Sequence, residues 1–361
     1  TIVVQKQIEF LQTMEVGFDR QNLVYLPLHG TLRNQCEAFK QELRQNADIT
    51  HVSLVSHVPT GVWHNGSGWE WENRNISSDP LITYYCADLD FAETFGTSMI
   101  HGEYFREELV GSSSYQSGEV IINQRLASIM GLDNPLGARL SNYGYDYKII
   151  GVIKDFNFKP AYASVGPMIV FHRALSARHP NQYNYIFMKV RPGSIQETTS
   201  FVKATCESFC PGYPVELKSL EEDYTRLYRS TEQIGSIIGY GAGLMIFVSC
   251  LGLFGLAAFT VEQRSKEIGI RKVLGASVAG IVRLLSKEFL ILIGVATAIA
   301  WAVAFLFVNG WLMTQFAYRV DIGWGPFVLA GVLALGTAFV AVSFQAIRAA
   351  LSNPVDSLKC E

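Results

Sequence analysis

Charged side chains are missing from three long stretches of this sequence. Gln233–Val261, Phe289–Tyr318 and Ile322–Ile347 contain no Asp, Glu, Lys or Arg. A helix at a soluble surface keeps a polar face, and each stretch exceeds the roughly 20 residues an α-helix needs to cross the hydrocarbon core of a bilayer. Three transmembrane helices are therefore expected, at about 234–260, 289–312 and 326–348. Residues 1–232, in contrast, mix charge, turn residues and short apolar runs. The chain reads as a soluble half followed by a membrane half.

Other absences narrow the function. No G-x-x-x-x-G-K-[ST] loop is present to cradle nucleotide phosphates, and the H-E-x-x-H and G-x-S-x-G signatures are missing too. The chain is thus expected to be no enzyme by itself and to carry no cofactor of its own. The six cysteines, Cys36, Cys86, Cys206, Cys210, Cys250 and Cys360, include no C-x-x-C pair. Cys206 and Cys210 sit one helical turn apart, which suits two packed thiols better than a disulfide or half a metal site. His51, His57 and His64 match no ligand spacing on a regular element, so no metal is expected. A net charge of −3 without a basic, aromatic-interleaved stripe sets nucleic acid aside as a partner.

Orientation follows from the loops. Arg264, Lys266, Arg271, Lys272, Arg283 and Lys287 lie between the first two spans, against Glu262, Glu267 and Glu288; only Arg319 and Asp321 lie between the second and third. Short Lys/Arg-rich loops stay inside, which puts the first loop and the C-terminus in the cytoplasm and residues 1–232 outside. An outside domain needs export, yet residues 1–30 hold no basic start and apolar core of a signal peptide. A transmembrane helix ahead of Thr1 is expected, with residues 1–20 as a stalk leading from it. In the first span, Gly235, Gly239 and Gly243 recur at helical spacing, which fits packing within the bundle and a dimer contact equally well.

The soluble half patterns as mixed α/β. Strands are predicted at Asn22–Leu28, Ile49–Val55, Glu119–Ile122, Tyr147–Ile153, Pro167–Phe171, Tyr185–Val190 and Pro214–Leu217. Helices are predicted at Thr31–Asn46 and Gly193–Phe209, with a helical stalk from Glu221 into the first span. His57–Trp71 is a Gly-rich aromatic loop that suits burial of its own tryptophans better than contact with a partner. Asn65-Gly-Ser and Asn75-Ile-Ser match the glycosylation pattern.

The basic loop, 261–288, is the most informative segment. A helix is favoured over Glu262–Leu274, with Glu262–Lys266 and Glu267–Arg271 as i, i+4 pairs and Gly275 where a C′ glycine ends it. Arg264, Glu267 and Arg271 share a face. Ser277 suits the cap of a second helix, expected to lie along the inner membrane surface before turning into the next span. On these grounds alone, a topological anchor and a docking element are equally good readings.

GLFGLAAFTVEQRSKEIGIRKVLGAS, Gly252 to Ser277, strongly resembles the signature of MacB/FtsX-type ABC-transporter permeases. So does the ending Asn353-Pro354-Val355-Asp356-Ser357-Leu358, although Lys359 and Cys360 depart from the usual Arg and acid. Gly17-Phe18-Asp19, Ile122-Asn123, Asn134-Pro135-Leu136-Gly137 and Gly151-Val152-Ile153-Lys154-Asp155-Phe156 resemble the family's outer domain. The resemblance spans essentially the whole chain and is closest to the second half of larger permeases with eight spans and two periplasmic domains. It implies a MacB-like periplasmic core over 21–220, as two small α/β lobes, and an FtsX-like permease domain over 221–361. It also implies a multi-pass protein of the bacterial inner membrane. Its partners would be a separate ABC ATPase that binds the ATP, a second permease in a homodimer or pseudo-dimer, membrane lipid, and a periplasmic adaptor or cargo protein. Arg264, Lys266, Glu267, Gly269, Arg271, Lys272 and Gly275 would form the ATPase-coupling segment. Export, efflux or lipoprotein release by mechanotransmission is the implied function. A peptide sensor that signals to a kinase or a periplasmic hydrolase is the alternative.

Overall fold

The computed structural model describes residues 2–13, 17–62, 64–72, 74, 79–107, 117–157, 164–172, 183–212, 215–308, 310, 318 and 323–351. Among these, the helices are α1 Ile2–Thr13, α2 Gly30–Asn34, α3 Cys36–Leu43, α4 Phe91–Phe95, α5 Gln124–Met130, α6 Ile195–Phe209, α7 Leu220–Gln263, α8 Ser265–Val273, α9 Val278–Phe307 and α10 Gly325–Leu351. The strands are β1 Leu23–Pro27, β2 Ile49–Val55, β3 Asn65–Gly66, β4 Glu70–Trp71, β5 Ile82–Ala87, β6 Met99–Gly102, β7 Ser117–Asn123, β8 Arg139–Asn142, β9 Tyr145–Ile153, β10 Met168–His172, β11 Tyr185–Val190 and β12 Lys218–Ser219. The chain forms two compact units, Leu11–Arg229 and Thr1–Phe10 with Ser230–Glu361.

In the first unit the strands run in the order β12-β1-β11-β2-β5-β10-β7-β9-β8-β4, with β3 beside β5 and β6 beside β9. The ladder is dense within each half and thin between them. β11 and β2 share a register from Tyr185↔Val55 to Val190↔Ile49, whereas β2 meets β5 at the single pair Val55↔Ala87. The sheet is thus two small α/β halves joined at a seam. β1, β2 and β11 carry α3 and α6 on one face, where Val24, Leu26, Phe39, Leu43, Val52 and Val202 are buried together.

The opposite face holds an aromatic cluster. Phe95 lies 4.9 Å from Phe187 and 5.9 Å from Phe18, and Phe18 is 6.0 Å from Phe156 and 6.2 Å from Tyr224. Tyr224 belongs to the first turns of α7, and its hydroxyl donates to the Asn157 carbonyl at 3.1 Å. The Tyr25 hydroxyl donates to Asp223, which pushes the tyrosine's ionisation well above its usual range, burial being the larger cause. Each buried ring of this size stabilises by about 1.5–3 kcal/mol through area removed from water, so the cluster binds the start of α7 firmly to the outer domain.

Scattered motifs meet here. A Cβ on Gly17, at φ +85, would lie 2.3 Å from the Asp155 carbonyl oxygen, so Gly17-Phe18 and Asp155-Phe156 approach as only glycine allows. Asn123 caps α5 by accepting from the Leu126 amide, accepts again from Met168 N, and donates to the Gly166 carbonyl. Asp155 accepts from the Arg125 amide at 2.8 Å.

Several local expectations need correction. The helix over Thr31–Asn46 is divided at Gln35 (φ −109, ψ 22), yet Leu32, Cys36, Phe39 and Leu43 keep one buried stripe across the break. The last strand is Lys218–Ser219 rather than Pro214–Leu217, because Val24 and Tyr25 of β1 pair with Ser219 and Lys218. Ile82–Ala87 is a strand with almost every side chain buried, so the alternation that marks half-buried strands is missing from it. In the aromatic loop Trp69 and Trp71 are buried, and Trp69 Nε1 donates to the Tyr84 hydroxyl at 2.9 Å. Trp63, Asn75 and the ending 353–359 lie outside the described residues.

Among the described residues, the second unit contains three helices long and apolar enough to cross a membrane: Gln233–Gln263 within α7, Val278–Phe307, and Gly325–Gln345 within α10. Ala257, Phe289 and Val342, one from each helix, are buried together. Gly331 lets α10 receive a ring from α9, since a Cβ there would meet Trp301 Cζ2 at 2.6 Å and Thr297 Cγ2 at 3.3 Å. The Gln7 amide of α1 donates to the Tyr318 carbonyl at 2.7 Å in this same unit.

Candidate coupling site

The segment between the first two spans is built on three local devices. The first is a joint. α7 ends at Gln263, but the Arg264 amide donates to Thr260 O at 3.1 Å and Arg264 O accepts from Ile268 N at 2.9 Å, so helical bonding passes through into α8. The expected Glu262–Leu274 helix is therefore present with a local irregularity at Arg264.

The second device is the turn that ends α8. Ala276 N donates to Arg271 O at 2.9 Å, and Gly275 adopts φ +89. A six-to-one bond closing over a left-handed residue is the Schellman arrangement, and a residue with a Cβ is strained at that φ. The third device starts α9. Ser277 is extended (φ −69, ψ 151) and its side chain accepts from the Gly280 amide at 3.2 Å, satisfying one of the helix's free donors.

From Ser277 the helix runs without interruption to Phe307. The expected helix along the membrane surface, with a bend before the span, does not form. Arg283 and Lys287 sit on the span-length helix itself, because a capped helix with no proline in it does not stop where charge does. The second helix therefore starts well before Phe289, the first residue of the charge-free stretch.

Packing then divides α8 into two faces. Ile268 and Ile281 are 8% and 3% exposed and are covered by Val261 and Val282, which clamps α8 onto the first turn of α9. Gly269 is buried on that inward side. On the outward side Arg271 bonds Glu267 at 2.9 Å across one turn, with both side chains about half exposed. Arg264 is half-buried at the joint. The side chains of Lys266 and Lys272 lie outside the described residues.

Two members of the outward face do not follow from charge spacing. Ile270 is 54% exposed and Leu274 80% exposed, and with Glu267 and Arg271 they follow the i, i+3, i+4, i+7 spacing along α8 and the turn that ends it. The result is a strip of two apolar side chains beside an ion pair, held at a fixed angle by the clamp and the glycine turn. The available signal was apolar residues spaced with the charged pair rather than with Ile268.

No other grouping among the described residues competes as a reactive centre. They contain no cluster of three metal-ligating side chains. His57 and His64 have ring centroids 6.1 Å apart, and His57 Nδ1 is 2.8 Å from Ser56 Oγ. Burial, then the neighbouring His64, lowers the His57 pKa to about 4. Lys40 bonds Asp88 and Asp90, while Asp88 also accepts from Ser53 Oγ at 2.7 Å and Leu54 N at 2.8 Å. Burial raises the Asp88 pKa despite those partners. This network ties α3 to the seam between the sheet halves, and the cavity that Asp88 lines among the described residues, about 10 Å³, is too small for a substrate.

Comparison with known proteins gives two family matches. Residues 9–201 match the MacB-like periplasmic core domain, and residues 239–354 match the FtsX-like permease C-terminal domain. An uncharacterised ABC transporter permease, YknZ of Bacillus subtilis, is 25% identical over 67% of this chain and 61% of its own length. The pyoverdine export ATP-binding/permease protein PvdT of Pseudomonas fluorescens is 23% identical over 76% of this chain and 42% of its own length. The periplasmic region of MacB from Actinobacillus actinomycetemcomitans aligns with 60% of this chain and 98% of its own, at 12% identity and a TM-score of 0.42.

Proposed function

Because the chain belongs to the MacB/FtsX-type permeases of ABC transporters, we propose that it carries movement from a separate ATPase to its outer domain. ATP is bound and hydrolysed on that partner, and the outward strip of α8 is where the partner docks. The permease works in the bacterial inner membrane as a homodimer or pseudo-dimer, with the 264–287 loop inside. Movement received by α8 passes into α7, whose first turns are fixed in the outer domain's aromatic cluster. Export, efflux or release of a periplasmic cargo, through an adaptor or directly, is the work done.

One observation carries this reading: Glu267, Ile270, Arg271 and Leu274 form an exposed, half-apolar strip on a helix whose direction is set by a buried clamp and a left-handed glycine. An anchor that only fixes topology needs cations but no exposed apolar pair. Interface cores combine apolar anchors with rim charges, and losing an anchor costs more than losing a rim charge.

The test is co-purification of the ATPase with the permease, together with stimulated ATP hydrolysis. Leu274→Glu is expected to reduce ATPase association by about tenfold or more, and the Glu267/Arg271 charge reversal by less, since the reversed pair still bonds itself. Permease abundance in the membrane should not change. Association at the wild-type level in both variants would leave α8 as an anchor. Placement is checked separately with impermeant thiol reagents on intact cells, where Tyr143→Cys should label and Leu274→Cys should not.

A further inference from the structure

α9 presents a second feature next to the coupling strip and on a different face. Ala279, Val282, Arg283, Ser286, Lys287, Leu290 and Ile291 follow one side of the helix at the i, i+3, i+4, i+7 spacing, and with Phe339 of α10 they line a cavity of about 700 Å³. Thirteen residues of helix, from Ala279 to Ile291, rise about 18 Å, close to half the thickness of a bilayer. Arg283, Ser286 and Lys287 lie in its middle, with Ala279 and Val282 before them and the apolar Leu290, Ile291 and Phe339 on the side toward the span.

We propose that this groove is a binding site for one anionic phospholipid of the cytoplasmic leaflet, with its phosphate held by Arg283, Lys287 and Ser286. Three observations converge on that ligand. Arg283 and Lys287 lie one turn apart, so both long side chains can converge on a single phosphate, and neither has a carboxylate partner among the described residues. Ser286, on the same wall, is 2% exposed, and its hydroxyl has no hydrogen-bond partner among the described residues. A buried hydroxyl without a partner is costly, and rotation of the Ser286 side chain toward the groove would let a phosphate oxygen relieve it. Below these groups, Leu290, Ile291 and Phe339 offer an acyl chain an apolar wall.

The shape of the site separates a lipid from a free phosphate. A soluble anion would use the cations and leave Leu290, Ile291 and Phe339 uncovered, whereas a phospholipid covers both. Lys and Arg stems lie along apolar surface and lift their charged heads toward the interface, which brings the two cations to headgroup level. Basic pockets between membrane helices on the cytoplasmic side have the right chemistry for anionic headgroups. The inference rests on the inward placement of the 264–287 loop, which the thiol-labelling experiment tests independently, and it does not rest on α8 binding an ATPase.

The experiment uses the full chain purified in a neutral detergent and titrated with phosphatidylglycerol, phosphatidylcholine or inorganic phosphate. Bound lipid is counted by native mass spectrometry, and thermal stability is recorded in parallel. Phosphatidylglycerol should be retained in preference to phosphatidylcholine and should raise the unfolding temperature, while inorganic phosphate should not. Each cation near an anionic surface contributes roughly a fivefold preference, so Arg283→Gln with Lys287→Gln should reduce the preference by at least about tenfold. Ser286→Ala should reduce it by a smaller factor. Leu290→Trp, which keeps both charges but fills the groove, should remove lipid binding too, and Arg348→Gln on α10 should change nothing. If the double variant does not fold, Lys287→Gln compared with Lys287→Arg reads the same effect. Equal retention of both lipids by the wild type would overturn the proposal. So would an unchanged preference in the charge variants, stabilisation by inorganic phosphate alone, or a disulfide between Ile291→Cys residues of two copies in native membranes.

Discussion

Phe39, Phe95 and Phe187 of the outer unit are at most 1% exposed, whereas Ile237, Leu244 and Met245 of the membrane unit are 68%, 65% and 70% exposed. The same kinds of side chain are treated oppositely because the two units face different solvents. In water, apolar surface is driven into a core and its polar companions must be bonded there, as Asp88, Asn123 and Tyr224 are. In hydrocarbon there is no such drive between helices, so contact comes from close fit, as where Gly331 receives Trp301. The outer unit is held by polar groups it has buried. In the membrane unit such close fit is local, at Gly331.

That contrast is open to direct attack. The largest effect is expected from Lys40→Met, which leaves Asp88 buried without its cation. Breaking a buried pair from one side costs about 3–5 kcal/mol, and urea unfolding of the outer unit, followed by tryptophan fluorescence, measures it. Ile237→Gln on the exposed side of α7 should leave that transition in place, so equal shifts from both variants would erase the distinction. Gly17→Ala comes next, at roughly 2–4 kcal/mol, because it combines a left-handed backbone with a Cβ driven into the Asp155 carbonyl. In the membrane unit, Gly331→Val should cost about 1–3 kcal/mol by forcing α9 and α10 apart, read as lower resistance to unfolding in mixed detergent micelles. An outer-unit transition that moved with it would show that the units are not separable.

The smallest effect is a pH dependence confined to the outer unit. His57 is held neutral, its pKa lowered to about 4 from an ordinary 6.5. The unfolded chain therefore binds the extra proton first. The stability from the neutral ring is fully present above about pH 6.5 and is lost as pH falls toward 4. After discounting for partial exposure the loss is about 1 kcal/mol. His57→Asn should flatten that slope, as judged by unfolding midpoints between pH 7 and 4.5, and an unchanged slope would assign the acid sensitivity elsewhere.

Much of this was legible in the sequence, for reasons that differ by region. The apolar helices announced themselves by missing charge, and Gly275 and Ser277 by residue types that few other positions require. β2 and β11 were legible because Val, Ile and aromatic runs end at clear turn residues. β5 was not, because a strand buried on both faces has no alternation to read. The division at Gln35 was hidden by an apolar stripe that continues through it. At the candidate site the ion pair Glu267–Arg271 followed from spacing, but Ile270 and Leu274 did not, since only the clamp on Ile268 reveals which apolar residues are left outside. The helical path through Arg283 was missed because a lack of charge marks where a membrane is, not where a helix begins.

The seam between the sheet halves has a consequence for how such a domain changes over generations. A strand can lengthen, bulge or slip only as far as its ladder partners tolerate, and here the two ladders share one rung, Val55↔Ala87. An insertion in the β7–β9 half leaves the β1–β11–β2 half in register, and the reverse holds equally. Either half can then be remodelled while the other, including the half with β12 beside the start of α7, keeps its register.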